Sequence, residues 1–335
     1  MKKSHKLLIV LSVIILFILL SIIPVSIDYQ HYIDATRSWV SGKGIYRGEP
    51  FYNLPHSIIL LYPLSLLPLR IGQGVINLIS LISISWALRE LVGKISLWAL
   101  LIVWVNLFTI TLFVYGQWDG LILGGVALGW YTFLKRQPVL CGVALSIMCT
   151  KPNNVIPVIL LLVWLMRNWS VREWLKTALV PFSCLFFSFL AFGMSWPMQY
   201  LSHLRHSPPN PAWNISFWSI FPLPIAVLFS ITILLWFVMT AKRILTANTG
   251  NKNLAIIIAP LTGVILSPYV MGYHYIMATP AIAWLALHSK LLSCLAWIVS
   301  FTPLFAEITG FTTIPRYVYP LFIVIGIVFV TARKK

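Results

Sequence analysis

The sequence predicts an all-α membrane protein with about a dozen hydrophobic spans, and its composition is the main reason. The residues AVILMFWYC fill 59% of the 335 positions, and charged residues fill only 9%. Soluble domains carry about a quarter charged residues. Lipid must therefore solvate most of the surface, and the spans are expected to be helices because the strand alternation of a membrane barrel is missing from the sequence. We treat residues 1–335 as one membrane domain.

Hydrophobic runs define the predicted helices, since about 20 apolar residues cross a bilayer as a helix. The twelve spans are placed at about 7–27, 74–93, 95–115, 118–134, 138–150, 154–167, 177–195, 219–241, 253–271, 273–288, 290–303 and 317–331. The fifth and sixth are too short to cross at full thickness, which is typical of tilted or re-entrant segments. Gly116, Gly120 and Gly124 recur every four residues, and this spacing lets a neighbouring helix approach closely.

The distribution of basic residues predicts the orientation. Of the 24 lysines and arginines, 17 fall on one side of the predicted spans. The positive-inside rule assigns that side, with both chain termini, to the cytoplasm. The basic residues are spread among loops, so the formal charge of +17 does not indicate a nucleic-acid-binding patch.

Two long segments lie on the predicted outer side. The first outer loop, about 28–73, contains a proline-interrupted apolar stretch that favours an interfacial or re-entrant helix. The second outer loop, about 195–218, contains prolines that favour extended backbone over helix. Its length is typical of a functional loop, and a lid over substrate is one interpretation.

The first candidate catalytic residue is Asp28, at the outer end of the first predicted span. An ionised carboxylate at the edge of hydrocarbon is costly, so such residues usually face a cavity. If the segment after it is helical, Asp28 and Tyr32 share a face at i, i+4. The alternative is an acid that solvates the helix end or pairs with Arg37.

Two more motifs fall on the same predicted side. In YGQWDG, at 115–120, Gln117 and Asp119 lie at the mouth between the third and fourth spans. Asp119 either contacts a ligand or only caps the helix and offsets its dipole. In CTKPNN, at 149–154, Lys151 is the only charge between two short apolar runs, and it either snorkels or binds phosphate.

A fourth motif, at 266–280, puts Tyr273 and His274 at or near an outer turn. A histidine among aromatic residues is often only a packing residue, and that alternative stays open. All four motifs nevertheless fall on one predicted side, which favours a shared site. The sequence has no Walker loop, HExxH or CxxC, and no ligand cluster requires a metal, so no cofactor is expected.

Taken in order, these motifs give the chain a resemblance to glycosyltransferase family 87 of the GT-C superfamily. That family includes bacterial mannosyltransferases and arabinofuranosyltransferase-like proteins that use polyprenyl-phosphate sugars. The matching residues are Asp28, Tyr32, Ala35, Gly42 and Tyr46, then Pro63 and Pro68, Gly116 and Gln117, Lys151 and Pro152, and Ser267, Pro268, Tyr269 and His274.

The chain also departs from the family pattern. The family usually has a double proline where this chain has Tyr62-Pro63, and its GQ pair is commonly followed by asparagine where this chain has Trp118-Asp119. These departures concern the choice of substrate more than the class of reaction.

The resemblance implies a GT-C-like enzyme that moves a hexose or pentose, with mannose favoured, from a polyprenyl-phosphate donor to a lipid or glycan acceptor. Transfer would occur on the outer face of the cell membrane with inversion at the anomeric carbon. Asp28 is the expected general base. The other expected site residues bind substrate: Lys151, His274 and Arg316 at the leaving phosphate, Gln117 and Asp119 at sugar or acceptor hydroxyls, and Tyr32 and Tyr273 as further contacts.

Two other functions fit a polytopic chain. A secondary transporter or lipid flippase would use intramembrane ionisable residues to line a path, but no two halves of this sequence look alike. A noncatalytic assembly subunit would leave Asp28 dispensable.

Overall fold

A computed structural model describes residues 3–46, 50–209, 214, 216–219, 221–246, 252–301 and 322–328. Every regular element in these ranges is helical, which confirms the predicted all-α class. The twelfth predicted span, 317–331, lies mostly outside the described residues, and its described part, 322–328, is helical.

Most of the helices follow one another with short connections. In chain order they are α1 (Lys3–Ile22), α2 (Ile27–Val40), α3 (Ser57–Ser65), α4 (Leu69–Val92), α5 (Leu97–Trp104), α6 (Leu107–Val114), α7 (Asp119–Leu134), α8 (Pro138–Cys149), α9 (Ile156–Leu165), α10 (Val171–Phe192), α11 (Trp196–His206), α12 (Leu223–Thr246), α13 (Asn253–Leu266), α14 (Thr279–His288) and α15 (Lys290–Ser300). Tight 3₁₀ turns at Pro152–Asn154 and Gly272–Ala278 precede α9 and α14.

Three helices in the described ranges, α4, α10 and α12, are long and apolar enough to cross a membrane. The pairs α1/α2 and α5/α6 are bent by 92° and 52°, and counting each pair as one span raises the number to five. Several other predicted spans correspond to apolar helices of 10–17 residues, including α7, α8 and α13. The apolar helices indicate a membrane protein, and the number twelve stays a prediction.

The structure corrects two of the expected elements. The predicted span 95–115 is not one helix, because the Asn106 side chain accepts a hydrogen bond from the Phe108 backbone N–H at 2.9 Å and starts a new helix there. The second loop does not begin extended, because its first part forms α11. The prolines that suggested extended backbone lie mainly after this helix, at 208–211.

Small residues allow α4 and α7 to pack closely. A Cβ atom added to Gly120 would lie 2.6 Å from the Ser80 Cβ, and one added to Gly124 would lie 2.9 Å from the Ser83 Cβ. These distances are shorter than a carbon–carbon contact allows. The close approach predicted from the glycine spacing is therefore confirmed, with α4 as the neighbour.

Helices α10 and α12 lie at the outside of the bundle. Only 11% of the 18-residue apolar stretch in either helix is buried, whereas 56% of the corresponding stretch in α4 is buried. Large apolar side chains such as Phe182 and Leu228 are exposed. This distribution is expected where lipid covers the surface.

We predict that Gly120→Ala lowers the free energy of unfolding by about 1–3 kcal/mol, because the new methyl group meets backbone atoms of Ser80 that cannot rotate away. Thermal unfolding of the detergent-solubilised protein measures the loss. Gly272→Ala is the matched control, since a Cβ atom there meets nothing within 4 Å. Equal stability of the two variants would contradict the close packing of α4 on α7.

Candidate active site

The sharp break between α1 and α2 positions Asp28. Ser26 caps α2, because its Oγ accepts a hydrogen bond from the Tyr29 backbone N–H at 3.0 Å. The same hydroxyl donates to the Tyr115 carbonyl oxygen at 2.7 Å. Half-buried Asp28 therefore lies in the first turn of α2, next to the segment that connects α6 to α7.

Gln73 of α4 satisfies the backbone where the helix is broken. Its Oε1 accepts from the Ser26 N–H at 2.9 Å, and its Nε2 donates to the Pro24 carbonyl at 3.0 Å. The side chain is buried, so these two groups have no need of water. Neither Ser26 nor Gln73 was predicted from the sequence, although a serine before an acid-containing helical turn is a recognisable cap.

Gly116 makes the turn between α6 and α7 possible. Its φ of +57° is in the left-handed region. A Cβ atom at this position would lie 2.8 Å from the Tyr29 Cβ and 3.1 Å from the Gln73 side chain. A side chain is thus excluded twice, by conformation and by contact, and this explains why a glycine precedes Gln117.

The buried Gln117 amide connects three of the predicted site residues. Its Nε2 donates to Asp28 Oδ2 at 2.7 Å. Its Oε1 accepts from the Tyr32 hydroxyl and, at 3.4 Å, from Lys151 Nζ. The contact with Asp28 fixes the orientation of the amide, because only the nitrogen can donate to a carboxylate.

Lys151 and Asp119 form a buried ion pair. Lys151 Nζ lies 2.8 Å from Asp119 Oδ2, and the two side chains are 12% and 0% exposed. The ammonium group also lies 4.9 Å from the centre of the Tyr273 ring. Asp119 is in the first turn of α7, where a helix dipole favours an acid, but its partner is Lys151. Lys151 lies inside the protein, so the snorkelling interpretation is wrong.

His274 approaches the other oxygen of Asp119. Its Nε2 lies 3.8 Å from Asp119 Oδ1. The Met271 backbone N–H donates to His274 Nδ1 at 3.0 Å, which fixes the ring. The Tyr273 ring packs edge-on against the imidazole, with the ring centres 4.6 Å apart.

An aromatic pair forms a further wall of the cluster. The rings of Tyr32 and Trp118 are stacked 4.9 Å apart at an angle of 4°, and Trp118 is 1% exposed. The stack holds Tyr32 where its hydroxyl reaches Gln117. Trp118 was apparent in the sequence only as a departure from the family pattern, and its packing role was not predicted.

The structure thus brings seven of the eight predicted residues into one cluster, which we call the polar cluster. Its members are Asp28, Tyr32, Gln117, Asp119, Lys151, Tyr273 and His274. Arg316 lies outside the described residues. Arg37 is not a partner of Asp28, because it pairs with Asp34 at 3.9 Å. The described part of the chain contains no group of three or more His, Cys, Asp or Glu residues that could hold a metal ion.

An apolar groove of about 360 Å³ ends near the polar cluster. We call it the α8–α10 groove and define it by Leu145, Cys149, Ala178, Pro181, Leu185 and Trp196. The Leu54 N–H donates to the Thr150 carbonyl at 3.3 Å, so the groove adjoins the turn that carries Lys151.

The groove lining also includes a few polar side chains, among them His56, which precedes α3. Burial lowers the pKa of its imidazole, although its contact with the Ser146 carbonyl opposes this effect. The ring is therefore neutral at pH 7. A neutral imidazole keeps the groove free of fixed charge at this point.

The sequence model of glycosyltransferase family 87 matches residues 51–268, well over half of the chain. This protein belongs to glycosyltransferase family 87. The expected family is thereby confirmed, and the family indicates glycosyltransferase activity. The match includes Gln117, Asp119 and Lys151, whereas Asp28 and His274 lie on either side of it. No curated protein matches the chain.

We predict that Lys151→Met in this family 87 protein lowers the free energy of unfolding by about 3 kcal/mol, because it leaves the fully buried Asp119 carboxylate without a counter-ion. The double variant Lys151→Met/Asp119→Leu should recover most of the loss, because it removes both charges. Thermal unfolding in detergent measures both. Lys135→Met, at an exposed lysine, is the control. A double variant no more stable than Lys151→Met would show that the pair is not the source of the effect.

Proposed function

We propose that the protein transfers a sugar, with mannose favoured, from a polyprenyl-phosphate donor to a hydroxyl of a lipid or glycan acceptor. Membership of family 87 establishes the glycosyltransferase class. The observation that supports the rest is the Gln117 amide, which bonds an acid, Asp28, through its nitrogen and a cation, Lys151, through its oxygen. Such an arrangement suits a reaction that needs a base and an anion site close together.

Asp28 is the proposed general base. Gln117 engages Asp28 Oδ2, and we assign Oδ1 to the acceptor hydroxyl. The acceptor oxygen attacks the anomeric carbon as its proton passes to Asp28. The bond from that carbon to the phosphate oxygen breaks at the same time, and polyprenyl phosphate leaves. Attack from the face opposite the phosphate inverts the anomeric configuration.

Lys151 is the proposed phosphate ligand. Its ammonium group is a compact charge with three donors, and Asp119 and Gln117 each accept a hydrogen bond from it. A leaving phosphate gains negative charge as the sugar bond breaks, so a nearby cation in a buried site stabilises the transition state. Arg316 remains a predicted second contact.

The α8–α10 groove suits the lipid part of the donor. Cys149, which lines it, is two residues from Lys151, so a chain in the groove would have its phosphate end at the ammonium group. The lining is almost entirely apolar, as an isoprenoid chain requires. The exposed apolar surface of α10 gives such a chain a route from lipid.

The charges at the helix ends support an outer-face site. The polar cluster lies where α4 and α7 begin and α8 ends. The opposite ends of these helices carry or adjoin the basic residues Arg89, Lys94, Lys135 and Arg136. By the positive-inside rule the basic ends are cytoplasmic, and the polar cluster is then extracytoplasmic.

We expect Asp28→Asn to reduce sugar transfer by a factor of about 100 or more, because the amide keeps the shape of the carboxylate but is not a base. The assay supplies membranes with radiolabelled polyprenyl-phosphate mannose and follows label into lipid and glycan acceptors. Asp34→Asn is the control, since Asp34 is on the same helix and makes only a surface pair with Arg37. Its transfer should equal that of the wild type.

Equal transfer by Asp28→Asn and wild type would remove Asp28 as the base. Movement of the labelled donor across the membrane with no product would favour a transporter or flippase. The amounts of each variant in the membrane are compared by immunoblot, so that poor insertion is not mistaken for lost chemistry.

We also expect Ala178→Trp to raise the KM for a long-chain polyprenyl-phosphate donor about tenfold, because the indole fills the α8–α10 groove. The effect should be much smaller with a short-chain donor that does not reach along the groove. Leu179→Trp is the control, because Leu179 is exposed and does not line the groove. An equal change in KM for both chain lengths would contradict this use of the groove.

A further inference from the structure

Two atoms in the polar cluster are buried without a hydrogen-bond partner. Asp119 Oδ1 and His274 Nε2 each lack one within the described part of the chain, and both side chains are almost completely buried. They face each other at 3.8 Å, which is too long for a hydrogen bond. An unpaired carboxylate oxygen in the interior is costly, so the missing partner of Asp119 Oδ1 needs a physical explanation.

The ring of His274 is set up to donate to Asp119. Because Nδ1 accepts from the Met271 N–H, the neutral imidazole carries its proton on Nε2. That proton faces Asp119 Oδ1. A movement of about 0.8 Å would bring the two atoms to a normal hydrogen-bond distance. The donor is present, but the contact is not made while Lys151 holds Asp119 Oδ2 at 2.8 Å.

We propose that His274 is a positioning residue that takes over Asp119 when a phosphate group binds to Lys151. This inference rests on the proposed function, which puts the phosphate of the donor at Lys151. Lys151 exchanges its internal anion, Asp119, for the incoming one, and Asp119 turns to the Nε2 proton of His274.

Electrostatics requires such an exchange. A phosphate next to Asp119 would be repelled by the carboxylate, and the repulsion is strong where water does not screen it. Asp119 is 0% exposed, so it has no access to water when it releases Lys151. A protein donor must replace the ammonium group. The Nε2 atom of His274 carries such a donor and lies 3.8 Å from Asp119 Oδ1.

The same geometry argues against His274 as a phosphate ligand, the role expected from the sequence. A phosphate oxygen bound to Nε2 would lie beside Asp119 Oδ1, and the two anions would repel each other. A hydrogen bond from His274 Nε2 to Asp119 Oδ1 would instead give both buried atoms a partner.

A double-mutant cycle tests the proposal. The probe is farnesyl phosphate, a soluble isoprenoid monophosphate, and its dissociation constant is measured by calorimetry on the full chain in detergent. We expect His274→Phe to weaken binding about tenfold in the presence of Asp119, the size expected for a lost hydrogen bond to a charged group. In the Asp119→Asn background the same change should have no effect, because no charge needs a new partner.

His274→Gln should recover most of the affinity, because its amide can also donate to Asp119. If Asp119→Asn does not survive purification, Asp119→Ser serves as the neutral background. Equal loss of affinity in both backgrounds would overturn the proposal, since His274 would then act on the phosphate directly. No loss in either background would overturn it too.

One comparison separates this proposal from the proposed function. Lys151→Met should abolish the binding of farnesyl phosphate. If wild type and Lys151→Met bind it equally, the phosphate does not contact Lys151. The proposed role of Lys151 as phosphate ligand then fails, whatever the His274 variants show. If Lys151 is required and the cycle shows no coupling, only the role of His274 fails.

Discussion

Two hydrogen bonds of the Gln117 amide, one to Asp28 and one from Lys151, hold the polar cluster together. Asp28 and Lys151 belong to segments more than 100 residues apart in the chain, and each contacts the same side chain. A side-chain amide has a separate donor and acceptor, so it can donate to an acid and accept from a cation at once without adding charge. A leucine at 117 would leave Asp28 and the Tyr32 hydroxyl without this partner, and a glutamate would put two acids in contact.

The backbone around Gln117 is fixed by equally specific contacts. Gly116 adopts a left-handed turn in a space with no room for a side chain, and Ser80 of α4 contacts the Gln117 carbonyl at 3.4 Å. Ser26 and Gln73 set the 92° break that directs α2 toward this turn. The site is therefore built from helix ends supported by rigid packing, an arrangement that holds catalytic groups in a fixed geometry.

The sequence predicted the composition of the polar cluster better than the helices that build it. Asp28, Lys151 and His274 stood out because a charged or titratable group is costly in an apolar chain, and their shared side of the membrane followed from counting spans. The break inside 95–115 was not foreseen, because Asn106 caps a helix within a continuous apolar run. Ser26, Gln73 and Trp118 were missed as well, since their roles depend on contacts across the fold rather than on local pattern.

A structure of the protein bound to a phosphonate analogue of polyprenyl-phosphate mannose tests the central claim most directly. The analogue cannot be cleaved, because a carbon atom replaces the oxygen between sugar and phosphorus. We expect the phosphonate about 3 Å from Lys151 Nζ and the Asp28 carboxylate on the opposite face of the sugar ring, with the lipid in the α8–α10 groove. An analogue bound away from Lys151, or with Asp28 on the same face as the phosphonate, would contradict it.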